Sequence, residues 1–559
     1  MEMTLKQSFE MTRSQLKNDR LVWEGGWRDI DRFIWPDQCQ WSTSPAPQKP
    51  SETGFSNILD DTPVSAINTC SSGMHSGISN PSRPWFELDL PDQAIAKIPA
   101  VRAWLEECRD RMLTAFSTSN LYNALPITYG NVAAFGVDAM VMEEDDEEVF
   151  RFENLAIGTY WLGADAKRNV DCIVREITMT AGQVVERFGI AKVSDQIKTA
   201  YEKNNCEQLF SVVHIVCRNK EYKADGIFSY EKRYISCYYE DSTSKEDTFL
   251  SKGGFDTFPV LAPRWKTTGR NVYGQGPGKQ MLGNAKALQS YKKAIDKGVS
   301  KMADPPLAAP SSLRTSKITQ IPGGITYYDE SKTSKPTIGA LYDVHAFRVN
   351  DVFALQQDAR ARLYAASFAD LFTLLMNSDR RQITAEEVRA KQEEKILQIG
   401  PVLENLNSDL FDRLIGRSFT SMLNRGLLPM PPQEIQGTKL MVRYVSILAQ
   451  VQKMLGLGAL DRFLGVIGNV AGIKPEITDN VDPDKVLLEY HDMLGVTSRV
   501  LRPQTERDGI RKGRAQMRAE QMDTQQTESH AKSAQLLSET DTRGENALTD
   551  IIRSRTGAA

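Results

Sequence analysis

Residues Gly278 to Met302 read GKQMLGNAKALQSYKKAIDKGVSKM. The spacing predicts one helix with two unlike faces. At about 100° per residue, Lys279, Lys286, Lys293, Lys297 and Lys301 fall within roughly 80° of arc, with Lys292 outside it. Leu288, Tyr291, Ile295, Val299 and Met302 fall on the opposite side, a face built to pack. Six lysines stand against a single acid, Asp296, in this stretch. Two readings remain open. The lysine face is either a solvated amphipathic surface or a strip aimed at a polyanion. Separated lysines attract phosphates without reading sequence, so a ring of such strips would centre a duplex.

Pro305-Pro306 stops this helix on one side, and the run Gly274-Gln275-Gly276-Pro277-Gly278 precedes it on the other. Beyond Pro306 comes a Pro/Gly/Thr-rich segment, Asp304 to Tyr342, with brief strands such as Ile325 to Tyr328. A second helix is expected over Asn350 to Met376. The polar link Asn377-Ser378-Asp379-Arg380-Arg381-Gln382 leads to a long helix with a capping box, Thr384 and Glu387. Leu403, Leu406, Leu410 and Leu414 mark its buried stripe, and Gly400-Pro401 should kink it rather than end it. Further on, Tyr444 to Leu448 is strand-like, helices run to about Gly472 and from Asp482 to Leu494, and the chain from about Arg502 is a polar helix or a partly disordered tail.

Working back toward the start, the pattern from about Pro126 to Arg264 is β. Strands are expected at Phe135 to Met142, Val149 to Phe152, Cys172 to Ile177, Phe210 to Cys217, Ile227 to Tyr239 and Phe258 to Leu261. Six consecutive acids, Glu143 to Glu148, sit between the first two and read as a solvated hairpin end. Short helices at Gly182 to Phe188 and Asp195 to Lys203 interrupt the strands. Earlier still, Leu16, Trp23, Trp27, Ile30 and Ile34 recur at helical spacing until Trp35-Pro36. Helices are expected over Thr62 to Ser76 and Pro99 to Thr118, with a short strand at Trp85 to Leu88 after the Asn80 to Pro84 break. The fold class is therefore α+β, mainly α.

The 559 residues carry 41% hydrophobic and 25% charged side chains, ordinary globular values that permit several cores. A net charge of −4 and a pI near 6.0 argue against gripping nucleic acid over the whole surface, but not against letting it slide past. The seven cysteines include no CxxC pair, which predicts reduced thiols rather than a disulfide framework or zinc ribbon. The polar first twenty residues and the lack of an apolar run of about 18 residues predict a soluble, intracellularly made protein.

Enzyme signatures fail. Gly274 to Lys279 faintly resembles a phosphate-binding loop, but Tyr273 stands where the first glycine is needed, and Gln280 where a hydroxyl should bind magnesium. The histidines His75, His214, His345, His491 and His530 are far apart, with no HExxH and no metal spacing. Asp60-Asp61 precedes a helix start and suits capping better than a metal site. No catalytic residue, metal or cofactor is expected.

The order of these pieces resembles the portal, or head-to-tail connector, proteins of short-tailed, podovirus-type bacteriophages. The likeness rests on Trp27 to Pro36 (WRDIDRFIWP) with Asp60-Asp61-Thr62 and Ser72 to Gly77 (SGMHSG), on Asn80 to Leu88 (NPSRPWFEL), on Tyr273 to Pro277 leading to Asp304-Pro305-Pro306, and on Phe372 to Arg389 (FTLLMNSDRRQITAEEVR). It spans about residues 20 to 500. It implies a wing over residues 1–270, a first stem helix at 271–303, a clip at 304–343 and a second stem helix at 344–376. A tunnel loop at 377–383, a long kinked helix with the rest of the wing at 384–500 and a helical crown at 501–559 would follow. Lys279, Lys286, Lys293, Lys297, Lys301, Arg380, Arg381 and Gln382 would line a DNA channel. The resemblance also implies a dodecameric ring in the virion, at the capsid vertex. Its partners would be double-stranded DNA, terminase, tail adaptor or nozzle proteins, major capsid and scaffolding proteins, and core or ejection proteins. Competing readings are a tail adaptor or internal scaffold, which the aromatic-rich β region opposes, and a metal-dependent DNA enzyme.

Overall fold

The structure, a computed structural model, describes residues 4–41, 58–96, 98–223, 228–241, 248–304, 307–308, 339–340, 346–376, 398–435, 440–445, 463–470, 474, 481–494 and 504–539. It divides into two compact units, Met1–Ala459 and Leu460–Ala559.

In the first unit, helix α1 (Leu5–Phe33) starts at a capping box in which Thr4 and Gln7 satisfy each other's backbone N–H groups. Its inner stripe is Phe9, Leu16, Trp27 and Ile30, all buried. Two arginines on the same face fasten it. Arg20 donates to the carbonyls of Gly158 and Tyr160 at 2.8 and 2.6 Å and stacks on Trp161 at 4.5 Å. Arg13 pairs with Glu176 and Asp241. Next come α2 (Thr62–Ile78), strand β1 (Phe86–Asp89), the short α3 (Gln93–Ala96), α4 (Pro99–Thr118) and α5 (Leu121–Phe135).

The β region follows as two antiparallel sheets. Strands β2 (Met140–Asp145), β3 (Val149–Asn154) and β9 (Val260–Leu261) pair in the order β3-β2-β9. Strands β4 (Tyr160–Ala164), β5 (Val170–Thr180), β6 (Leu209–Arg218), β7 (Tyr234–Glu240) and β8 (Ser251–Phe255) form a five-stranded sheet in sequence order. Helices α6 (Ala181–Phe188) and α7 (Asp195–Glu202) lie between β5 and β6.

Three expectations are corrected here. The β pattern does not begin at Pro126: Pro126 lies inside α5, and Phe135 ends that helix. Nearly every residue of α5 from Thr128 onward is buried, so its sequence is apolar all round and shows no helical period. Strand β2 accordingly starts at Met140, not Phe135. The strand expected from Ile227 begins only at Tyr234, after a 3-10 turn at Ser229–Glu231, and Ile227 lies outside the described residues. Strands β4 and β8 have no counterpart among the expected elements.

The second half of the unit is helical. Helix α8 (Pro277–Ala303) packs along α9 (Ala346–Ala366). Between them, β10 (Leu307–Ala308) and β11 (Gly339–Ala340) pair antiparallel, so the intervening chain leaves and returns at one place. The helix expected over Asn350 to Met376 is two helices, α9 and α10 (Ala369–Met376). The break at Ser367-Phe368 puts Phe368 at φ +60°, against Trp265 at 5.9 Å. It also drives the buried Phe372 onto α2, where a Cβ on Gly73 would lie 2.2 Å from its ring. Only a glycine seats that ring, which explains one part of the SGMHSG run.

Helix α11 (residues 398–406) passes through Gly400 and Pro401 without ending and joins α12 (Asp412–Asn424) through a π turn at Asn407–Phe411. Leu403, Leu406, Leu410 and Leu414 are buried as the spacing requires. Arg264 holds the π turn with two hydrogen bonds to the buried Asp409, at 2.8 and 3.0 Å. Strand β12 (Met441–Tyr444) begins before the expected Tyr444 and pairs with β1, Phe86 opposite Tyr444. That pairing fastens NPSRPWFEL to the chain beyond residue 440. The second unit contains helix α13 (residues 463–470), α14 (Pro483–Leu494) and α15 (Gln504–Glu539), with Arg511 forked onto Asp484 at 2.6 Å. The tail from Gln504 is thus helical over 36 residues. The expected strand at Ile325 to Tyr328, the Thr384–Glu387 capping box and Arg380, Arg381 and Gln382 lie outside the described residues.

Two local devices fix α8. The first is its glycine-rich entry. Gly276 is the extended N-cap and Pro277 opens the first turn. A Cβ on Gly276 would meet Ala133 O at 2.5 Å, and one on Gly278 would meet Ala134 O at 2.1 Å. The run therefore packs backbone on backbone against the end of α5. The second device is Asp60, buried before α2. Its carboxylate accepts from Thr62 N at 3.1 Å, from Gln356 at 2.8 Å and from Arg360 at 2.8 and 3.1 Å. Gln289 of α8 accepts from Leu59 N and Asp60 N and donates to Asp60 O, at 2.7 to 2.9 Å. One aspartate thus gathers α2, α8 and α9. Burial acts to raise its pKa, but the hydrogen bonds from Thr62, Arg360 and Gln356 outweigh burial and hold the carboxyl below its ordinary value.

Gly278→Ala is expected to lower stability by about 1–3 kcal/mol through the forced clash, while Gly283→Ala, with open space around the new methyl, should raise it by up to about 1 kcal/mol. Denaturant midpoints of the two variants check this contrast. Asp60→Asn should cost about 2–3 kcal/mol at neutral pH. Because the folded-state pKa of Asp60 is depressed, its contribution is present above the unfolded carboxylate value of about 4 and is lost as pH falls through the folded value. The acid arm of a stability-versus-pH curve should therefore be shallower in the Asn variant than in the parent chain.

Candidate functional site

The lysine face of α8 splits into two halves. Toward its start the side chains are taken up by α1. Lys279 sits over the Trp23 ring at 5.3 Å. Lys286 pairs with Asp29 at 2.7 Å and lies over Phe33 at 5.6 Å. Lys292, outside the stripe, is tied to Asp296 one turn on, at 2.8 Å. Toward the end of the helix, Lys293, Lys297 and Lys301 are exposed. Lys293 and Lys297 have no ion pair among the described residues.

The apolar face splits at the same level. Leu288 is fully buried and Tyr291 half-buried, but Val299 is 50% and Met302 42% exposed. The expectation that this whole face packs is therefore corrected: within one chain only its first half does. On α9, Phe353 and Leu355 are likewise about half exposed, at 49% and 51%. The far ends of α8 and α9 thus combine uncovered apolar side chains with uncompensated lysines. Such a surface can pack against a further apolar face while presenting positive charge beside it.

Other titratable groups lie away from this pair. At the tip of the β2–β3 hairpin, Asp145 accepts from the backbone N–H groups of Glu148 and Glu147, which holds its carboxyl low. Arg425 crosses to the carbonyls of Asp145 and Val149 and to the Asp146 carboxylate. The acidic run is thus the expected exposed hairpin end. His214 is buried in the five-stranded sheet, stacked on Tyr238 at 3.8 Å. Burial, with the charges of Arg175 and Arg187, pushes its pKa well down, so it is a neutral acceptor for Arg175 rather than a proton carrier. A cleft of about 850 Å³ between this sheet and α12 mixes Arg218, Arg233 and Arg413 with Asp165, Asp171 and Asp412. Of the Asp60 network the sequence showed only Asp60-Asp61 before a helix start, and of the cleft nothing, because both are assembled from positions far apart in the chain.

The glycine run before α8 faces the carbonyl end of α5, where the partial charge is negative. It is unsuited to phosphate, in agreement with the failed loop motif. What the geometry offers is therefore a pair of helices held at one end by a buried clamp and bare at the other.

Comparison with known proteins bears directly on this arrangement. The sequence profile of the family described as bacteriophage head to tail connecting protein matches residues 6–501. The chain is 37% identical over 549 residues to a portal protein of Salmonella phage epsilon15, covering 97% of both chains. It is 33% identical over 543 residues to a probable portal protein of Bordetella phage BPP-1, again covering 97% of each. With a match that runs through both helices, the clamp and the β region alike, this chain belongs to the bacteriophage head to tail connecting protein family.

Proposed function

We propose that about a dozen copies of this chain close into a ring at one vertex of a phage capsid, and that double-stranded DNA passes through the bore during packaging and ejection. The observation that carries this reading is the family match over residues 6–501. It is a structural role without catalysis. In this reading α8 and α9 are stem helices. Their exposed Val299, Met302, Phe353 and Leu355 are covered by the neighbouring copies, while Lys293, Lys297 and Lys301 face the bore. A few separated lysines on an acidic chain suit a channel that must release DNA, since many simultaneous phosphate contacts would hold it.

The remaining assignments complete the proposal. Residues 1–270 and 384–500 form the wing, 304–343 the clip that meets terminase and later the tail adaptor or nozzle, and 377–383 a tunnel loop carrying Arg380, Arg381 and Gln382. Residues 501–559 form a helical crown, which α15 supports by being helical and largely exposed over Gln504–Glu539. Major capsid, scaffolding and core or ejection proteins would contact the outer and inner faces. The chain would be made in the host cytoplasm and carried in the virion.

Native mass and negative-stain images of the purified chain test the ring: particles of about twelve subunits with a central hole are expected, and a species that stays monomeric even when co-expressed with its capsid partners would sink the proposal. Replacing Lys293 and Lys297 together with Glu should leave ring assembly intact and lower the yield of packaged DNA roughly tenfold, by reversing the sign of two phosphate-facing charges per subunit. Unchanged packaging would remove these residues from the bore.

A further inference from the structure

The register of the five-stranded sheet brings two cysteines opposite each other. Ile173 of β5 faces Val216 of β6, and continuing that register by one residue puts Cys172 opposite Cys217, whose thiols hydrogen-bond to each other. Cys217 also lies opposite Ile235 of β7, and Cys172 opposite Gly163 of β4, so the pair sits in the interior of the sheet. Directly opposed residues of antiparallel strands have Cα atoms roughly 4.5–5.5 Å apart. A disulfide accepts about 4.4–6.8 Å, so strand pairing brings the two backbones within the span of such a bond.

The pair also differs from the other thiols in access and chemistry. Cys172 and Cys217 are half-buried, while Cys70, Cys108 and Cys237 are buried. Burial pushes those three up to about 12, which leaves them inert. The Cys172 thiol, by hydrogen bonding to Cys217, draws the Cys217 pKa below the ordinary thiol value and is itself raised. Cys39 and Cys206 are half-buried too, but neither stands opposite another cysteine in a strand pairing.

We propose that Cys172 and Cys217 are a redox modification site that closes to an intrachain disulfide when the folded chain meets an oxidant of the peroxide class. The Cys217 thiolate attacks one peroxide oxygen and the O–O bond breaks, giving a sulfenic acid and hydroxide, which takes a proton to become water. The Cys172 sulfur, losing its proton, then attacks the sulfenic sulfur. The S–S bond forms, the S–O bond breaks, and a second water leaves. The thiols lose two electrons and the peroxide gains them. The bond would staple β5 to β6 in the sheet on which α1 is fastened through Arg13. If the chain acts as proposed above, the thiols are reduced during assembly and oxidised once the particle leaves the cell. That timing rests on the portal reading, whereas the closure itself does not.

The test uses the full chain, folded and reduced, exposed to hydrogen peroxide. Free thiols are then blocked by alkylation, and the protein is digested without reductant for mass spectrometry. The expected result is one linked peptide pair joining Cys172 to Cys217, lost on reduction, together with a rise of several degrees in the unfolding midpoint that reductant reverses. Cys172→Ser and Cys217→Ser should each abolish both the link and the difference between oxidised and reduced midpoints. Two free, alkylatable thiols after oxidation, separate overoxidised cysteines, or a link to Cys237 in place of this one would each overturn the proposal. A ring defect with the link present, or a normal ring without it, would separate this inference from the portal reading.

Discussion

A carboxylate with almost no exposure is the point on which the helical half of the molecule turns. Asp60 has lost its water, and an ion in that position is tolerated only if its lone pairs are filled. Thr62 of α2 fills part, and Gln356 and Arg360 of α9 the rest, while Gln289 of α8 grips the backbone around it. The donors to the charge come from α2 and α9, and Gln289 ties the same stretch of backbone to α8, so one buried aspartate sets the relative position of three helices. The cost of leaving any partner unmade is high in a low-dielectric site, which makes the arrangement specific as well as stable.

The near end of the α8–α9 pair inherits its rigidity from that clamp and from the glycine entry against α5. The far end inherits nothing comparable. Beyond Tyr291 the apolar positions are still in phase with the helix, yet Val299 and Met302 are open to solvent in the single chain. A helical period that continues past the protein's own packing is the sign of a surface meant to be covered by something else. In the ring proposed above, a neighbouring copy would supply that cover. The lysines follow the same division. Those near α1 are absorbed into ion pairs and ring contacts, and the charge that remains available lies only where packing ends.

Away from the α8–α9 pair, arginine serves the purpose that aspartate serves there. Arg13, Arg20, Arg264 and Arg417 each reach from a helix or loop to acceptors distant in sequence. Planar guanidinium groups make several directed hydrogen bonds at once and remain charged throughout, so they can be buried where a lysine could not be paired as fully. The two histidines that are described in the folded core, His75 and His214, are pushed toward neutrality by burial. They act as packing and hydrogen-bonding groups.

What the sequence determined by itself was the set of features encoded over short range. The two faces of α8, the buried leucines of α11 and α12, the helix over Pro99–Thr118, the short helices beside the sheet and the acidic hairpin tip all follow from local period and capping, because neighbouring residues on one element settle them. The order of those pieces was enough to carry the resemblance that the comparisons bear out. Tertiary structure alone decided the rest. Helix α5 was hidden because from Thr128 onward it is buried on every side and so has no solvent face to set its period. The division of α9 from α10 was hidden because nothing local forces it; it answers to Trp265 and Gly73, far away in the chain. The Asp60 clamp and the fate of Lys279 and Lys286 were hidden for the same reason: a charge is neutralised by whatever the fold brings within a few ångströms, and sequence spacing carries no record of that distance.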